Sequence, residues 1–413
     1  MKYIVLIGDG MSDRPLAELN NKTCLQVAKT PNMDRLASEG VAGNVKTLPD
    51  GLPAGSDVAN LSILGYNPKK YYTGRAPLEA ASIGVKIGKD DVAYRCNLVT
   101  MKKVKKRIYL EDYSAGHIPT SEAAKLIREI DKRLGSSTIR FYSGVSYRHL
   151  MVWKKGKYRI DCIPPHDITG KEACDYMPMG DGEEVLWKMM EESGPVLEDH
   201  PVNRNRRKAG LKEANSIWLW GQGKRPSIPP FRQRYGLKGG LISAVDLMKG
   251  IGIYAGFKII NVKGATGYLD TNYEGKANAA LRALKTLDLV YIHVASPDEA
   301  SHNGDIKGKI KAIEDFDSKV LGVLLKGMER SVEDPTHRGG YRILLLPDHA
   351  TPIDLKTHSR EPVPFVIYPS PAGPKGPAEK KGKKVSYFDE RIIKNKNLVF
   401  KEGYKLMDYF LGQ

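Results

Sequence analysis

Three aspartates and three histidines stand where a single sheet could gather them. Asp9 follows the apolar run YIVLIG, Asp298 and His302 follow LVYIHVA within SPDEASH, and Asp348, His349 and His358 follow YRILLLP within DHATPIDLKTH. If the three runs are parallel strands, their C-terminal ends lie along one edge, where open α/β folds build their sites. Carboxylate mixed with imidazole suits a borderline divalent ion such as Mn²⁺ or Zn²⁺, with Co²⁺ and Mg²⁺ as further candidates. Three carboxylates and three imidazoles are enough for two such ions. Asp298 and His302 are spaced i, i+4, so one helical turn would present both to the same ion. Two ions about 3.5–4 Å apart can clamp the attacking and leaving oxygens of an in-line displacement.

That chemistry needs a nucleophile, and the candidate is Ser56 in GLPAGSDVANLSILGY. Pro53 and Gly55 mark a turn, after which Val58, Leu61 and Leu64 recur at helical spacing. Ser56 therefore opens a helix, where free N–H groups and the helix dipole favour an anion. A serine at such a position is by itself most often an N-cap; the metal-ligand set beside it is what favours catalysis. The Gly8-Asp9-Gly10 turn is not a dinucleotide fingerprint, because Asp13 stands where a third glycine is required. No P-loop pattern is present.

The elements that must position these residues alternate. Tyr3 to Ile7, Leu289 to Ala295 and Tyr341 to Leu346 are short continuous apolar runs, the pattern of strands buried on both faces. Ala93 to Val99, Ser216 to Trp220, Lys258 to Val262 and Phe365 to Tyr368 are further strand candidates. Helical patterns cover Pro31 to Glu39, Lys276 to Leu287 and Ile306 to Met328, so the expected class is α/β with a mainly parallel sheet sandwiched by helices. An amphipathic helix over Ser121 to Leu134 precedes strand-like segments at Thr138 to Tyr142, Tyr147 to Trp153 and Tyr158 to Ile163. These predict a small α+β domain at 113–180, inserted into a core made of 1–112 and 181–413. Pro369 to Lys384, rich in Pro, Gly and Lys, predicts an exposed loop.

Bulk properties narrow the partners. The chain has 413 residues, a net charge of +17 and four cysteines without CxxC spacing, which predicts reduced, buried, inert thiols. The positive charge admits an anionic small molecule or a nucleic acid. Its runs at Lys102 to Arg107, Arg204 to Lys208 and Lys380 to Lys384 are not interleaved with aromatics, which argues against a base-stacking platform. No apolar run approaches the roughly 20 residues of a membrane span. The N-terminal segment reads as a strand rather than a leader, and the expected location is the cytoplasm.

The strings LIGDGMSD, PAGSDVANLSILGY, PDEASHNGD and DHATPIDLKTH resemble those of the archaeal-type 2,3-bisphosphoglycerate-independent phosphoglycerate mutases, within the alkaline phosphatase superfamily. GRAPLEAASIGV, RCNLVT, PPHDITGK, DHPVNRNRRKAG, WLWGQG, ISAVDLMKGIG and TGYLDTNYEGKA extend the resemblance over nearly the whole chain. It implies an alkaline-phosphatase-like core with an inserted cap domain. It also implies one divalent ion on Asp9, Ser56, Asp348 and His349, and a second on Asp298, His302 and His358. Ser56 matches the position that becomes phosphoserine, and no bisphosphoglycerate cofactor is expected. Ala350 and Ser301 depart from the Pro and Gly expected in relatives, though neither is a ligand position.

The implied reaction moves a phosphoryl group from one hydroxyl of glycerate to Ser56 and back to the other hydroxyl. A closed cap would keep water from the phosphoserine while glycerate turns. Cations must hold the carboxylate and phosphoryl oxygens. The candidates are Arg148, His149, His166 and Arg206, with Arg75 and Lys276 after them. Rival readings on the same scaffold are a phosphatase, a phosphopentomutase-like enzyme and a homoserine-kinase-like enzyme, because the metal site alone does not choose among them. A nucleic-acid-binding protein that has lost its activity is the reading from another class; retention of all six Asp and His candidates and Ser56 argues against it. Oligomeric state is not legible.

Overall fold

A computed structural model describes residues 1–333, 340–369, 385–394 and 398–412. The expected loop Pro369 to Lys384, apart from its first residue, and the basic run Lys380 to Lys384 lie outside them. The described chain divides into two compact units, Met1–Tyr72 with Ile228–Gln413, and Thr73–Ser227. Among the described residues no helix is long and apolar enough to cross a membrane.

The first unit is α/β, as expected. Its sheet orders the described strands as Lys258–Ile259, Gly239–Ile242, Leu289–Val294, Lys2–Gly8, Tyr341–Leu346, Val363–Pro369, Val41–Val45 and Val399–Phe400. All neighbouring pairs are parallel except the two made by Val363–Pro369. Ile7 is in register with His293 on one side and Leu346 on the other. Gly8, Val294 and Leu346 thus finish at the same sheet edge, and the three candidate loops start there.

Period-two alternation divides these strands between two faces. Ile4, Leu6, Val290, Ile292, Val294, Ile343 and Leu345 form one buried cluster with Met33, Leu36, Ala277, Ala280, Leu324 and Leu325 from covering helices. Each Val, Leu, Ile or Met side chain among them contributes about 1.5–3 kcal/mol on burial. The helix predicted over Ile306 to Met328 is interrupted by a π-helical turn at Phe316–Leu321. That turn presents Asp317 to the start of the helix Pro31–Glu39, where its carboxylate accepts from Met33 N at 2.7 Å and Asn32 Nδ2 at 2.8 Å. The free N–H groups of a helix start explain the pairing.

The second unit is α+β and larger than the predicted insertion at 113–180. Its central strand, Val92–Val104, pairs antiparallel with Arg148–Trp153, Ser216–Lys224 and Arg107–Asp112, and Ile139–Val145 adds to Arg148–Trp153. Ala93 to Val99 and Ser216 to Trp220 therefore belong here and not to the core sheet. Residues Val92–Thr100 are all buried, so their sequence lacks the alternation that usually marks an antiparallel strand. Burial on both faces made them indistinguishable from core strands. The helices Thr120–Leu134 and Glu183–Glu198 contribute Leu126, Ile127, Ile130, Leu186 and Met190 to this unit's core. All four cysteines are free, but Cys162 is half-buried and Cys174 exposed, which corrects the expectation of four buried thiols.

Candidate active site

The loop after Lys2–Gly8 carries Asp9, which is buried. Gly10 follows with φ +62°, and a Cβ there would lie 2.6 Å from Asp298 Oδ1 and from Thr351 Oγ1. Only glycine allows this close approach without strain. Gly10 N donates to Asp348 Oδ1 at 3.1 Å, tying the first loop to the loop after Tyr341–Leu346. Asp348 Oδ2 accepts from Asn60 Nδ2 at 2.7 Å, and Asn60 Oδ1 accepts from Tyr291 at 2.5 Å. Both oxygens of this fully buried carboxylate are thus oriented.

Ser56 is the first residue of the helix Ser56–Ile63, as its sequence predicted. Its Oγ lies 3.1 Å from His349 Nε2 and 3.4 Å from Asp9 Oδ1. His349 Nε2 is also 3.4 Å from Asp9 Oδ1 and 3.6 Å from Asp348 Oδ2. Four oxygen and nitrogen atoms from two loops and a helix start therefore converge on one point. Burial pushes the Asp9 pKa well above its ordinary value, and the charges of Asp348 and Asp298 push it the same way. Carboxylates crowded in this way favour a bound cation.

A second group lies beside the first. Asp298 and His302 sit on the short helix Ser296–His302, with His302 Nε2 3.1 Å from Asp298 Oδ2. His358 Nε2 is 3.6 Å from Asp298 Oδ1 and 3.1 Å from His302 Nε2. His302 Nδ1 meets Lys356 O at 2.9 Å, and His358 Nδ1 meets Ala54 O at 3.1 Å. A carbonyl only accepts, so in each neutral ring Nδ1 carries the hydrogen and Nε2 presents its lone pair. Two lone pairs facing one carboxylate fit a divalent cation. Without one, a proton takes its place: the hydrogen bond to Asp298 raises the His302 pKa to about 9. Burial opposes ionisation of Asp298, but the bonds from His302 and His358 outweigh it and hold its pKa well below the ordinary value.

Thr351 joins the two groups. It donates to Asp298 Oδ1 at 2.6 Å, so its oxygen accepts from His349 Nδ1 at 3.1 Å. That fixes the His349 tautomer with Nε2 free for Ser56 and Asp9, the usual outer-sphere support of a metal-binding histidine. The acidic members are buried, whereas Ser56, His302 and His358 are half-buried. Two sets among these residues have the spacing to hold an ion, Asp298 with His349 and His358, and Asp9 with His293 and Asp348.

All seven residues expected to form the metal site thus lie together in the first unit. His293 was not anticipated. It is fully buried in the strand Leu289–Val294, with Nε2 3.1 Å from Asp9 Oδ2. Its signal was an imidazole inside an otherwise apolar run. Lys276, expected to bind substrate, is instead buried on the helix Tyr273–Leu284, and its Nζ has no hydrogen-bond partner among the described residues. Burial lowers its pKa to about 8.

The remaining expected substrate residues are in the second unit, where they divide. Arg206 is a strut: its nitrogens donate to Lys212 O at 2.7 Å, Glu122 Oε2 at 2.7 Å and Ala115 O at 2.9 Å. His149 is buried, accepts from Gly144 N at 3.0 Å, and has its pKa lowered to about 3 by burial. Arg206 is thus engaged inside the fold, whereas His149 Nε2 has no hydrogen-bond partner among the described residues. Arg75, Arg148 and His166 instead surround a residue the sequence did not single out, Arg95. Its guanidinium pairs with Glu79 at 3.0 Å and lies 4.2 Å over the Trp220 ring. Burial lowers the Arg95 pKa, and the charges of Arg75 and Arg148 add to the effect. His166 packs edge-on against Trp220, and its pKa falls through burial and the charges of Arg95 and Arg75. Such a concentration of cations suits an anion.

Comparison with known proteins gives a consistent result. A family model described as 2,3-bisphosphoglycerate-independent phosphoglycerate mutase matches residues 37–203. A Methanosarcina acetivorans protein named 2,3-bisphosphoglycerate-independent phosphoglycerate mutase is 54% identical over 396 residues, covering 96% of each chain. A solved structure from Pyrococcus horikoshii covers 99% of this chain and 97% of its own, at 29% identity and a TM-score of 0.80. The cofactor-independent phosphoglycerate mutase of Thermoplasma acidophilum covers 100% and 99%, at 28% identity and a TM-score of 0.65.

Proposed function

The chain belongs to the 2,3-bisphosphoglycerate-independent phosphoglycerate mutase family, and from that premise we propose that it exchanges 3-phosphoglycerate and 2-phosphoglycerate through a phosphoserine at Ser56. The observation that carries this reading is the position of Ser56 Oγ, 3.1 Å from His349 Nε2 and 3.4 Å from Asp9 Oδ1, at the mouth of a buried acidic cluster. Asp9, Ser56, Asp348 and His349 would hold one divalent ion, and Asp298, His302 and His358 the other. Bound there, Mn²⁺ or Zn²⁺ would lower the Ser56 hydroxyl pKa and neutralise charge on the phosphoryl oxygens.

Each transfer is an in-line displacement at phosphorus. Deprotonated Ser56 Oγ forms its bond to phosphorus as the bond to the glycerate oxygen breaks. That oxygen leaves with the electron pair and takes up a proton. The second half runs in reverse: the other glycerate hydroxyl loses its proton, attacks the phosphoserine and returns Ser56. The helix start of Ser56–Ile63 offers N–H groups to the phosphoryl oxygens. We assign recognition of the anionic substrate to Arg75, Arg95, Arg148 and His166 of the second unit. The site is proposed to act in the cytoplasm, and bisphosphoglycerate has no step in this route.

The test is an assay with 3-phosphoglycerate and added Mn²⁺, without bisphosphoglycerate or nucleotide, following both 2-phosphoglycerate and free phosphate. Isomer with little phosphate, lost in Ser56→Ala and on chelation, is expected. Phosphate without isomer would make the chain a phosphatase.

A further inference from the structure

The strand Leu289–Val294 contributes more than scaffold. Val290, Ile292 and Val294 face the apolar cluster described above, so Tyr291 and His293 face the opposite side. Tyr291 supports Asn60, which in turn orients Asp348. His293 is 0% exposed, and its Nε2 has no hydrogen-bond partner among the described residues. Asp9 Oδ2 is near, at 3.1 Å, but does not lie where a hydrogen on Nε2 would point. A buried polar atom left in this state costs about 1–3 kcal/mol.

The other ring nitrogen suggests why. His293 Nδ1 is 3.4 Å from Ser243 Oγ, and that oxygen already accepts from Val245 N at 3.0 Å. It has a second lone pair to accept from Nδ1–H. With Nδ1 donating there, the Nε2 lone pair faces Asp9 and Asp348. A ligating histidine is held in the same way, its other nitrogen engaged by an outer partner.

We propose that His293 Nε2 is a direct ligand of the ion proposed for Asp9 and Asp348, completing a coordination shell shared with Ser56 and His349. The proposal rests on the two-metal reading of the site and adds a ligand to it. The ion supplies the partner that Nε2 lacks. The strand then acts as a rigid wall of the site, built into the sheet rather than carried on a loop.

Mn²⁺ titration of the full-length protein, read by the magnetic resonance signal of free Mn²⁺, tests this without relying on turnover. The wild type should bind two ions. His293→Phe should weaken one of them by more than the roughly 10–100-fold that losing an outer-sphere partner costs, and leave the other unchanged. Two ions at wild-type affinity in the variant would overturn the ligand role while leaving the two-metal site intact. A wild type that binds no Mn²⁺ would overturn both readings. Because the buried substitution could impair folding, the Mn²⁺-loaded wild-type crystal structure gives an independent reading. An Nε2–ion distance of about 2.0–2.3 Å supports the proposal, whereas separation beyond hydrogen-bond range contradicts it.

Discussion

His302 and His358 turn their Nε2 atoms to within 3.1 Å of each other, while the Nδ1 of each is held by a main-chain carbonyl. Without a cation this arrangement needs a proton, and Asp298 supplies the reason by raising the His302 pKa to about 9. A divalent ion must displace that proton. Metal affinity at this site should therefore rise as pH increases toward 9, and binding near pH 7.5 should release protons. Calorimetry in buffers of different ionisation enthalpy measures the release. The metal-free protein should show the opposite trend. A raised His302 pKa stabilises it fully below about 6.5, and that contribution disappears as pH passes about 9. Affinity independent of pH between 6 and 9 would contradict the assignment of His302.

Thr351 touches both ligand groups through Asp298 and His349. Thr351→Val keeps the shape but removes both hydrogen bonds. It should lower metal affinity by about 10–100-fold with little change in the folded structure. Circular dichroism with metal titration would separate that result from simple unfolding.

Lys309 and Asp13 form a fully buried ion pair at 2.9 Å. Lys309 Nζ also donates to Thr351 O at 2.9 Å, and Asp13 Oδ1 accepts from Ile353 N at 3.2 Å, so the pair clamps two ligand-bearing loops together. Lys309→Met leaves Asp13 charged and uncompensated and should cost about 3–5 kcal/mol in urea denaturation. Adding Asp13→Asn should recover part of that loss. Equal stability of the single and double variants would mean that the charge is compensated elsewhere.

Arg95 and Arg206 should separate in kinetics. Arg206→Gln removes donors from three internal acceptors and should lower stability by at least ~2 kcal/mol, with KM nearly unchanged below the melting transition. Arg95→Gln should raise KM for phosphoglycerate by about tenfold, one charged hydrogen bond's worth. An unchanged KM in Arg95→Gln would remove it from substrate recognition.

How much of this was legible depended on where each residue sat in its element. Asp9, Asp298 and Asp348 stand just beyond apolar runs, and a strand end followed by a carboxylate is a visible signal. Ser56 was visible through the turn and helix that frame it. His293 and Arg95 were hidden for a shared reason: each lies within a strand whose apolar neighbours dominate the pattern. A polar residue interrupting such a run, as in LVYIHV or VAYRCNLV, is the sign that could have found them, since burial must be compensated by a partner. The extent of the second unit was hidden by the same covered strands. Neither motif nor spacing reveals that the Arg206 donors are already engaged inside the fold.

In the proposed route Ser56 Oγ accepts the phosphoryl group. Rapid acid quench of the Mn²⁺-loaded protein turning over phosphoglycerate, followed by peptide mass analysis, tests it most directly. One added phosphoryl group is expected on the peptide carrying Ser56, absent in Ser56→Ala and absent after chelation. Isomerisation with Ser56 unmodified at every quench time, or sustained in Ser56→Ala, would contradict it.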